Sequence, residues 1–180
     1  ENLINRIVET VTMRGFEGVD VDFEFILASD RVAFAEFVGE LRTAVNALGY
    51  PVSVALAPKT SDTQQGLLYE GKDYALLGAA ADSVLLMTYE WGYTYGPPMA
   101  VAPVNSVRQV VEYAVTKIPP EKIDLGIPNY GYDWPLPFER GVTRAKTIGN
   151  IEAVQIAIEQ DAVIQFDDTA ISPYFNYEYE

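Results

Sequence analysis

The chain has 180 residues, 49% of them hydrophobic, a formal net charge of −14 at pH 7, and neither cysteine nor histidine. This composition excludes a disulfide framework and a catalytic triad built on His or Cys, and it argues against a typical zinc site. The acidic balance also argues against nucleic acid or an anionic membrane surface as a partner. The length predicts one domain, and no apolar run reaches the ~18 residues of a membrane span. Acid–base chemistry near neutral pH must therefore use mainly Asp, Glu, Tyr or Lys.

Hydrophobic periodicity predicts an alternation of helices and strands along the chain. The first half reads as a helix over 2–14, a strand over 18–26, a helix over 30–48, a strand over 51–58 and a helix over 69–81. The second half reads as a strand over 83–91, a helix over 106–118 with Ser106 as N-cap, a strand from 122 that runs into an aromatic loop ending at 134, a helix over 150–160, and two strand-like segments over 163–169 and 173–180. The first residues lack the apolar segment of a signal peptide, and the missing Met at position 1 indicates that the sequence starts inside a longer polypeptide.

The strands recur about every 30–40 residues, which is the size of a βαβ unit. The nearly continuous apolar run LLMTY is typical of a parallel strand that is buried on both faces. Two architectures use such units, the doubly wound sheet and the eightfold β/α barrel. A closed barrel needs eight strands and about 250 residues, whereas four βα units are recognisable here. If the fold is a barrel, we expect the chain to be a slice of one, with open sheet edges that make it unstable alone.

Three carboxylates alternate along the stretch GFEGVDVDFEFI. A strand has a side-chain period of two, so Asp20, Asp22 and Glu24 would share one face, about 6.5–7 Å apart, with the Val and Phe side chains on the other. In a barrel this face would point into the interior, where three buried acids titrate together and one keeps its proton to a higher pH. Such a proton is what a general acid requires, and Glu24 would lie nearest the strand's carboxyl end, where barrel active sites lie. A Mg²⁺ or Ca²⁺ site and a structural, solvated face are the alternatives from this pattern.

The spacing of these acids resembles the D-G-x-D-x-D-x-E signature on the fourth strand of glycoside hydrolase family 18, the chitinase-like barrels. The chain reads E-G-V-D-V-D-F-E at 17–24, so four of the five fixed positions match and Glu17 replaces the first Asp. The family's M-x-Y-D block on strand six is matched by M-T-Y-E, which ends at Glu90. LGIPNYGYDW at 125–134 is similar to strand seven.

The segment MTYEWGYTYGPPMAVAP is similar to the sequences of one subgroup of the family. These are the spore-associated bacterial members that often carry LysM modules and act on spore-cortex peptidoglycan. The resemblance covers essentially the whole chain. It implies an α/β fold, a (β/α)8 TIM barrel, of which residues 1–134 would span helix three to strand seven and residues 135–180 part of a small α+β insertion. It also implies a spore or cell-wall location outside the cytoplasm of a spore-forming bacterium.

The resemblance implies a retaining mechanism in which the substrate's own acetamido group is the nucleophile. Glu24 would protonate the leaving oxygen and later activate water. Asp22 would orient the acetamido nitrogen, and Asp20 would tune Asp22. Tyr89 would donate its hydroxyl to the acetamido oxygen. No metal or cofactor is needed.

Aromatic side chains on the loops after strands six and seven are candidates for stacking on sugar rings. The predicted substrate-binding residues are Glu90, Trp91, Asn129, Tyr130 and Trp134, and ordinary packing is the alternative for each. The expected partner is an N-acetylated polysaccharide, peptidoglycan or chitin, bound by a monomer, with no nucleic acid and no membrane. The rival functions are a non-catalytic glycan-binding relative and a metal-dependent α/β hydrolase.

Overall fold

The computed structural model describes residues 2–178. These residues form two compact units, one within Glu1–Met87 and Val110–Gly126 and the other within Thr88–Gln109 and Ile127–Glu180. The last two residues of the strand-like segment predicted over 173–180 lie outside the described residues. In the part of the chain that is described, no helix combines the length and the apolar character that crossing a membrane requires.

The first unit is a parallel sheet with helices between its strands. Its elements are α1 (Asn2–Arg14), β1 (Val19–Val21), a 3-10 turn (Ala28–Asp30), α2 (Arg31–Asn46), β2 (Val52–Leu56), α3 (Tyr74–Ala80), β3 (Ser83–Leu86), the end of α4 (Val104–Ala114), a second 3-10 turn (Pro120–Lys122) and β4 (Ile123–Leu125). The strands pair in the order β1-β2-β3-β4, all parallel. A sheet in which consecutive strands are neighbours is typical of the β/α barrel, whereas a doubly wound sheet reverses its strand order.

The two faces of this sheet differ in polarity. Val52, Val54 and Leu56 of β2, with Val84 and Leu86 of β3, are completely buried. Val38, Leu41 and Val45 of α2 are also completely buried, and α2 contacts β2. The alternate positions carry the polar side chains together with Ala55 and Leu85: Asp20 pairs in register with Ser53, Ser53 with Ser83, and Ala55 with Leu85. The strand period of two thus separates an apolar, helix-covered face from a polar one.

Several predicted boundaries of helices and strands were wrong. The strand predicted over 18–26 ends at Val21, and the strand predicted over 83–91 ends at Leu86, because backbone pairing with the neighbouring strands ends there. The helix predicted from 69 begins at Tyr74, because the carboxylate of Asp73 accepts the backbone N–H of Leu76 and caps the helix. Ser106 is not an N-cap; it lies inside α4, which begins two residues earlier.

The second unit contains two small antiparallel sheets and one complete helix. β5 (Tyr130–Asp133) pairs with β6 (Lys146–Gly149), α5 spans Asn150–Glu159, and β7 (Gln165–Asp167) pairs with β8 (Ser172–Tyr174). Both strand-like segments at the end of the sequence therefore contain a short strand. β6 was not predicted, and the segment expected to be an aromatic loop is its partner, β5. All four residues of β5 are half-buried, so the strand has no alternation of buried and exposed positions by which it could be recognised.

The long aromatic segment over 90–103 is held by backbone hydrogen bonds within this unit. The N–H groups of Trp91 and Gly92 donate to the carbonyls of Val101 and Ala100 at 3.0 and 2.9 Å. A Cβ on Gly92 would lie 2.0 Å from the carbonyl oxygen of Met99, so only glycine fits this close approach. The segment is therefore an ordered loop, and long ordered loops in compact domains usually carry function.

Candidate active site

The three acids predicted from the sequence lie at, and just beyond, the carboxyl end of β1. Asp20 lies in β1, whereas Asp22 and Glu24 follow it in the irregular segment 22–27. In a parallel sheet the loops at the carboxyl ends of the strands carry the functional groups. The structure thus brings the three carboxylates to the edge of the sheet at which a β/α enzyme places its chemistry.

The expectation that these acids are buried was wrong for the described chain. Asp20, Asp22 and Glu24 are all exposed, and the strand on which the last two were placed has already ended. The physical reason is that β1 is the outer strand of the described sheet, paired with β2 on one side. Among the described residues β1 has no paired strand on its other side, whereas a closed barrel would supply one.

Asp20 is fixed to the next strand by a side-chain hydrogen bond. The hydroxyl of Ser53 donates to its carboxylate at 2.5 Å, and the two residues are register partners. A carboxylate that accepts a hydrogen bond from a neighbouring strand keeps one orientation. Asp20 is therefore the anchored member of the trio, closest to the body of the sheet.

The segment that carries Asp22 and Glu24 is held by contacts on both sides of these acids. The ring of Phe23 stacks at 5.8 Å on Phe34 and Phe37 of α2. The carbonyl oxygen of Ile26 lies 2.0 Å from where a Cβ on Gly71 would stand, so the two backbones are in direct contact. Phe25 was expected to share the helix-facing side with Phe23, but it is 65% exposed because the strand alternation has been lost.

Two buried lysines close to this segment were missed at the sequence level. Lys59 and Lys72 are 4% and 1% exposed. The ammonium of Lys59 donates to the carbonyl of Lys72 at 3.0 Å, and that of Lys72 donates to the carbonyl of Ala55 at 3.2 Å. Burial lowers the pKa of both groups; Asp22 and Glu24 oppose this at Lys72. Their position in the sequence could have identified them as candidates, because both lysines follow the carboxyl end of the buried strand β2.

The residues predicted from the strand-six block lie in the second unit. Tyr89 and Trp91 are half-buried, whereas Glu90 is exposed and has a φ of 67°. A left-handed backbone is uncommon for glutamate and costs about 1–3 kcal/mol, so it persists only where the surroundings fix it. The ordered loop over 90–103 supplies that constraint through the backbone hydrogen bond between Trp91 and Val101.

The carboxylate of Glu90 accepts hydrogen bonds from two tyrosine hydroxyls. Tyr130 and Tyr132 donate to the same carboxylate oxygen, Oε1, at 2.6 and 2.7 Å. Their rings contact each other edge to face at 5.9 Å. The carboxylate of Glu90 therefore ties the loop to β5 through both phenols.

Glu90→Gln is expected to lower the pKa of Tyr130 and Tyr132. Burial raises the pKa of both phenols, and the hydrogen-bonded carboxylate of Glu90 raises it further because it disfavours a second negative charge. Since the folded pKa is raised, these phenols contribute their full stabilisation below about pH 10, the unfolded value, and lose it progressively as the pH rises from there through the raised folded pKa. Absorbance titration of tyrosinate measures the change; Tyr50→Phe, which removes another tyrosine of the chain, is the control. Unchanged tyrosinate titration in Glu90→Gln would contradict the assignment.

The remaining predicted substrate-binding residues surround this group. Trp134 is half-buried, and its indole N–H donates to the carbonyl of Gly96 at 2.8 Å. Its ring lies 5.7 Å from that of Tyr132. Asn129 is exposed directly before β5. The structure therefore joins Glu90, Tyr130 and Trp134 in one aromatic cluster through Tyr132.

Among the described residues, 2–178, no group of three or more acidic side chains is arranged so that it could hold a metal ion. The chemistry that this arrangement offers is that of separate carboxylates, one anchored and two exposed.

Comparison with known proteins agrees with the geometry. The chain is 47% identical over 175 residues to a cortical fragment-lytic enzyme of Bacillus subtilis, covering 97% of this chain and 41% of that protein. The crystal structure of the Bacillus cereus spore cortex-lytic enzyme SleL is similar with a TM-score of 0.94 and 39% identity, over 98% of this chain and 41% of that one. A chitinase structure from Chromobacterium violaceum gives a TM-score of 0.88 and 29% identity, over 97% of this chain and 53% of that one.

The chain thus spans about two fifths of the length of the cortex-lytic relatives that it matches. The family match itself extends over residues 1–180. Taken with the parallel sheet in consecutive order and the three acids at its carboxyl edge, this match shows that the chain belongs to the glycosyl hydrolases family 18.

Proposed function

We propose that the protein is a retaining glycoside hydrolase that cleaves N-acetylglucosamine-containing glycan, with spore-cortex peptidoglycan as its substrate. The observation that carries this proposal is the placement of Asp20, Asp22 and Glu24 at the carboxyl end of a parallel strand, with family spacing. We further propose that the described sheet is strands four to seven of an eightfold barrel, which would enclose these acids, and that residues 135–180 belong to an insertion.

The first chemical step breaks the glycosidic bond. Glu24 donates its proton to the leaving oxygen, while the carbonyl oxygen of the sugar's acetamido group attacks the anomeric carbon. The product is a cyclic oxazolinium ion, whose positive charge is shared with the acetamido nitrogen. Asp22 stabilises that charge and accepts the nitrogen's proton in a hydrogen bond, and Tyr89 donates its hydroxyl to the acetamido oxygen.

The second step reverses the geometry of the first. Water attacks the anomeric carbon from the side that the leaving group vacated, and Glu24, now a carboxylate, takes the water's proton. The bond from the acetamido oxygen to the anomeric carbon breaks, which restores the acetamido group. Two displacements at the same carbon retain its configuration. Asp20, held by Ser53, tunes Asp22.

The glycan would lie against the aromatic cluster of the second unit. Tyr130 and Trp134 offer ring faces, Trp91 and Asn129 lie on the same two loops, and Glu90 fixes the phenols. No metal or cofactor enters this chemistry. We propose that the protein acts as a monomer at the spore or cell wall of a spore-forming bacterium, because its relatives bear the name of cortex-lytic enzymes.

Chitin is the second candidate substrate. The similarity to the Chromobacterium violaceum chitinase structure favours it, because chitin offers the same acetamido group beside the scissile bond. A non-catalytic glycan-binding role is less well supported, since the chain retains Glu24, the residue that such a role does not need. A metal-dependent hydrolase would lose activity with a chelator, whereas the proposed mechanism would not.

The proposal is tested by the configuration of the first-formed product. Proton NMR during hydrolysis of cortex fragments by the full-length protein is expected to show the β-anomer before mutarotation. Chitin oligosaccharides, assayed in parallel, rank the two substrates. Initial formation of the α-anomer would mean direct attack by water and would contradict the oxazolinium mechanism. No product from either glycan would contradict the enzymatic function.

A further inference from the structure

One arginine of the second unit lies against an exposed tyrosine of the loop over 90–103. The guanidinium carbon of Arg144, Cζ, is 5.5 Å from the centre of the Tyr95 ring. An aromatic face attracts a guanidinium through its quadrupole, and the contact is strong enough to orient the side chain. The ring has no net charge, however, so the contact leaves the positive charge of Arg144 without a counter-ion.

Backbone hydrogen bonds fix Arg144 beside the turn from Tyr93 to Gly96. The N–H of Gly96 donates to the carbonyl of Tyr93 at 3.1 Å and closes this turn. The N–H of Ala145, the residue directly after Arg144, donates to the carbonyl of Thr94 at 2.8 Å. The guanidinium is therefore held at both ends, by the ring of the turn at its tip and by the backbone of the turn at its base.

The same turn contacts the aromatic cluster that the proposed function assigns to the glycan. The indole N–H of Trp134 donates to the carbonyl of Gly96 at 2.8 Å. Tyr95 and Tyr93 are 58% and 42% exposed, so both present ring surface to a ligand lying on this loop. Arg144 thus belongs to the surface on which the sugar rings would stack.

The charge of Arg144 differs in its surroundings from that of the nearest basic residue in the chain. The ammonium of Lys146 is paired with the carboxylate of Glu152 at 2.6 Å. In the part of the chain that the structure describes, the other ion pairs use Arg42 and Lys117, and Arg144 takes part in none of them. An exposed guanidinium that is held in place and has no described acidic partner is suited to bind an anionic group of a ligand.

We propose that Arg144 is a specificity-determining residue that binds a carboxylate of the glycan, so that the site favours acidic peptidoglycan over neutral chitin. This inference rests on the proposed function. Peptidoglycan carries carboxylates on its lactyl groups and peptide stems, whereas chitin carries none. A guanidinium binds a carboxylate through two parallel N–H···O bonds. The net charge of −14 repels an acidic polymer at long range, and a fixed cation on the binding surface offsets that repulsion locally.

The test measures steady-state kinetics of the full-length protein and its Arg144→Met variant on cortex fragments, before and after their carboxylates are converted to neutral amides. Methionine keeps a long apolar side chain beside the ring but removes the charge and the donors. KM for the acidic fragments is expected to rise about fivefold with kcat unchanged, as for the loss of an exposed ion pair that acts in binding. Amidated fragments and chitin oligosaccharides are expected to show no change, whereas a merely structural role would raise KM on all three substrates.

Arg140→Met is the matched control for the loss of one positive charge. Arg140 is an exposed arginine of the same segment between β5 and β6, and it makes none of the described ring contacts. Its replacement is expected to leave KM unchanged on every substrate. An equal rise in KM for the acidic fragments in both variants would assign the effect to net charge and would overturn the role of Arg144.

A second readout does not depend on activity. Calorimetric titration of Glu24→Gln protein with acidic cortex fragments is expected to give a Kd about fivefold lower than that of the Glu24→Gln, Arg144→Met protein, and amidated fragments are expected to remove the difference. If wild type cleaves no glycan but this difference is seen, the proposed function fails and the carboxylate contact stands. If wild type cleaves glycan and Arg144→Met affects acidic and amidated fragments alike, the function stands and the inference is overturned. Should Arg144→Met not fold, Arg144→Gln removes the same charge, and the same outcomes apply.

Discussion

Glu24→Gln in the full-length protein is expected to lower kcat on cortex fragments by about 10²–10⁴-fold, the range that general acid–base catalysis contributes. Glutamine has nearly the same shape as glutamate, but it can neither donate a proton to the leaving oxygen nor accept one from water. Both steps of the proposed mechanism therefore lose the same group. Because Glu24 is exposed and lies outside β1, the change is expected to leave the fold intact.

The measurement is product release from cortex fragments at saturating substrate, with thermal unfolding as the check on folding. Glu40→Gln is the matched control, because Glu40 is an exposed glutamate on α2, away from the carboxyl edge of the sheet. It is expected to retain wild-type kcat. Equal product from wild type and Glu24→Gln would discard the role of Glu24 and with it the proposed mechanism.

Asp22→Asn is expected to lower kcat by about 10²–10³-fold, as seen when electrostatic stabilisation of a charged intermediate is removed. The amide keeps the shape of the side chain but cannot balance the positive charge on the oxazolinium ion. Since that charge develops only during the reaction, the loss is expected in kcat and in kcat/KM alike, with KM nearly unchanged.

Steady-state kinetics on a defined N-acetylated oligosaccharide separate these parameters. Asp168→Asn serves as control, because Asp168 is exposed in the turn between β7 and β8 and has no part in the proposed site. A kcat within about threefold of wild type for Asp22→Asn would contradict charge stabilisation by Asp22. A raised KM with normal kcat would instead assign Asp22 to substrate binding in the ground state.

The sequence by itself determined the order of the elements in the first unit. A helix repeat of 3.6 and continuous apolar strand runs are local properties, so α1, α2 and the positions of β2 and β3 could be predicted from residues close together in the chain. The family also followed from local information, because the spacing of Asp20, Asp22 and Glu24 is written within five consecutive positions. That spacing placed the acids at the carboxyl edge of β1, where the structure has them.

The tertiary structure alone decided where β1 ends and what surrounds its acids. A parallel strand lasts only as long as its partner offers backbone groups in register, and pairing with β2 ends at Val21. The exposure of the acids depends on which strands lie across the polar face. The two tyrosine hydroxyls on Glu90 come from 40 and 42 residues away, and Lys72 reaches Ala55 across 17 residues. Contacts over such separations are set by the packing of the whole chain, which no short window of sequence contains.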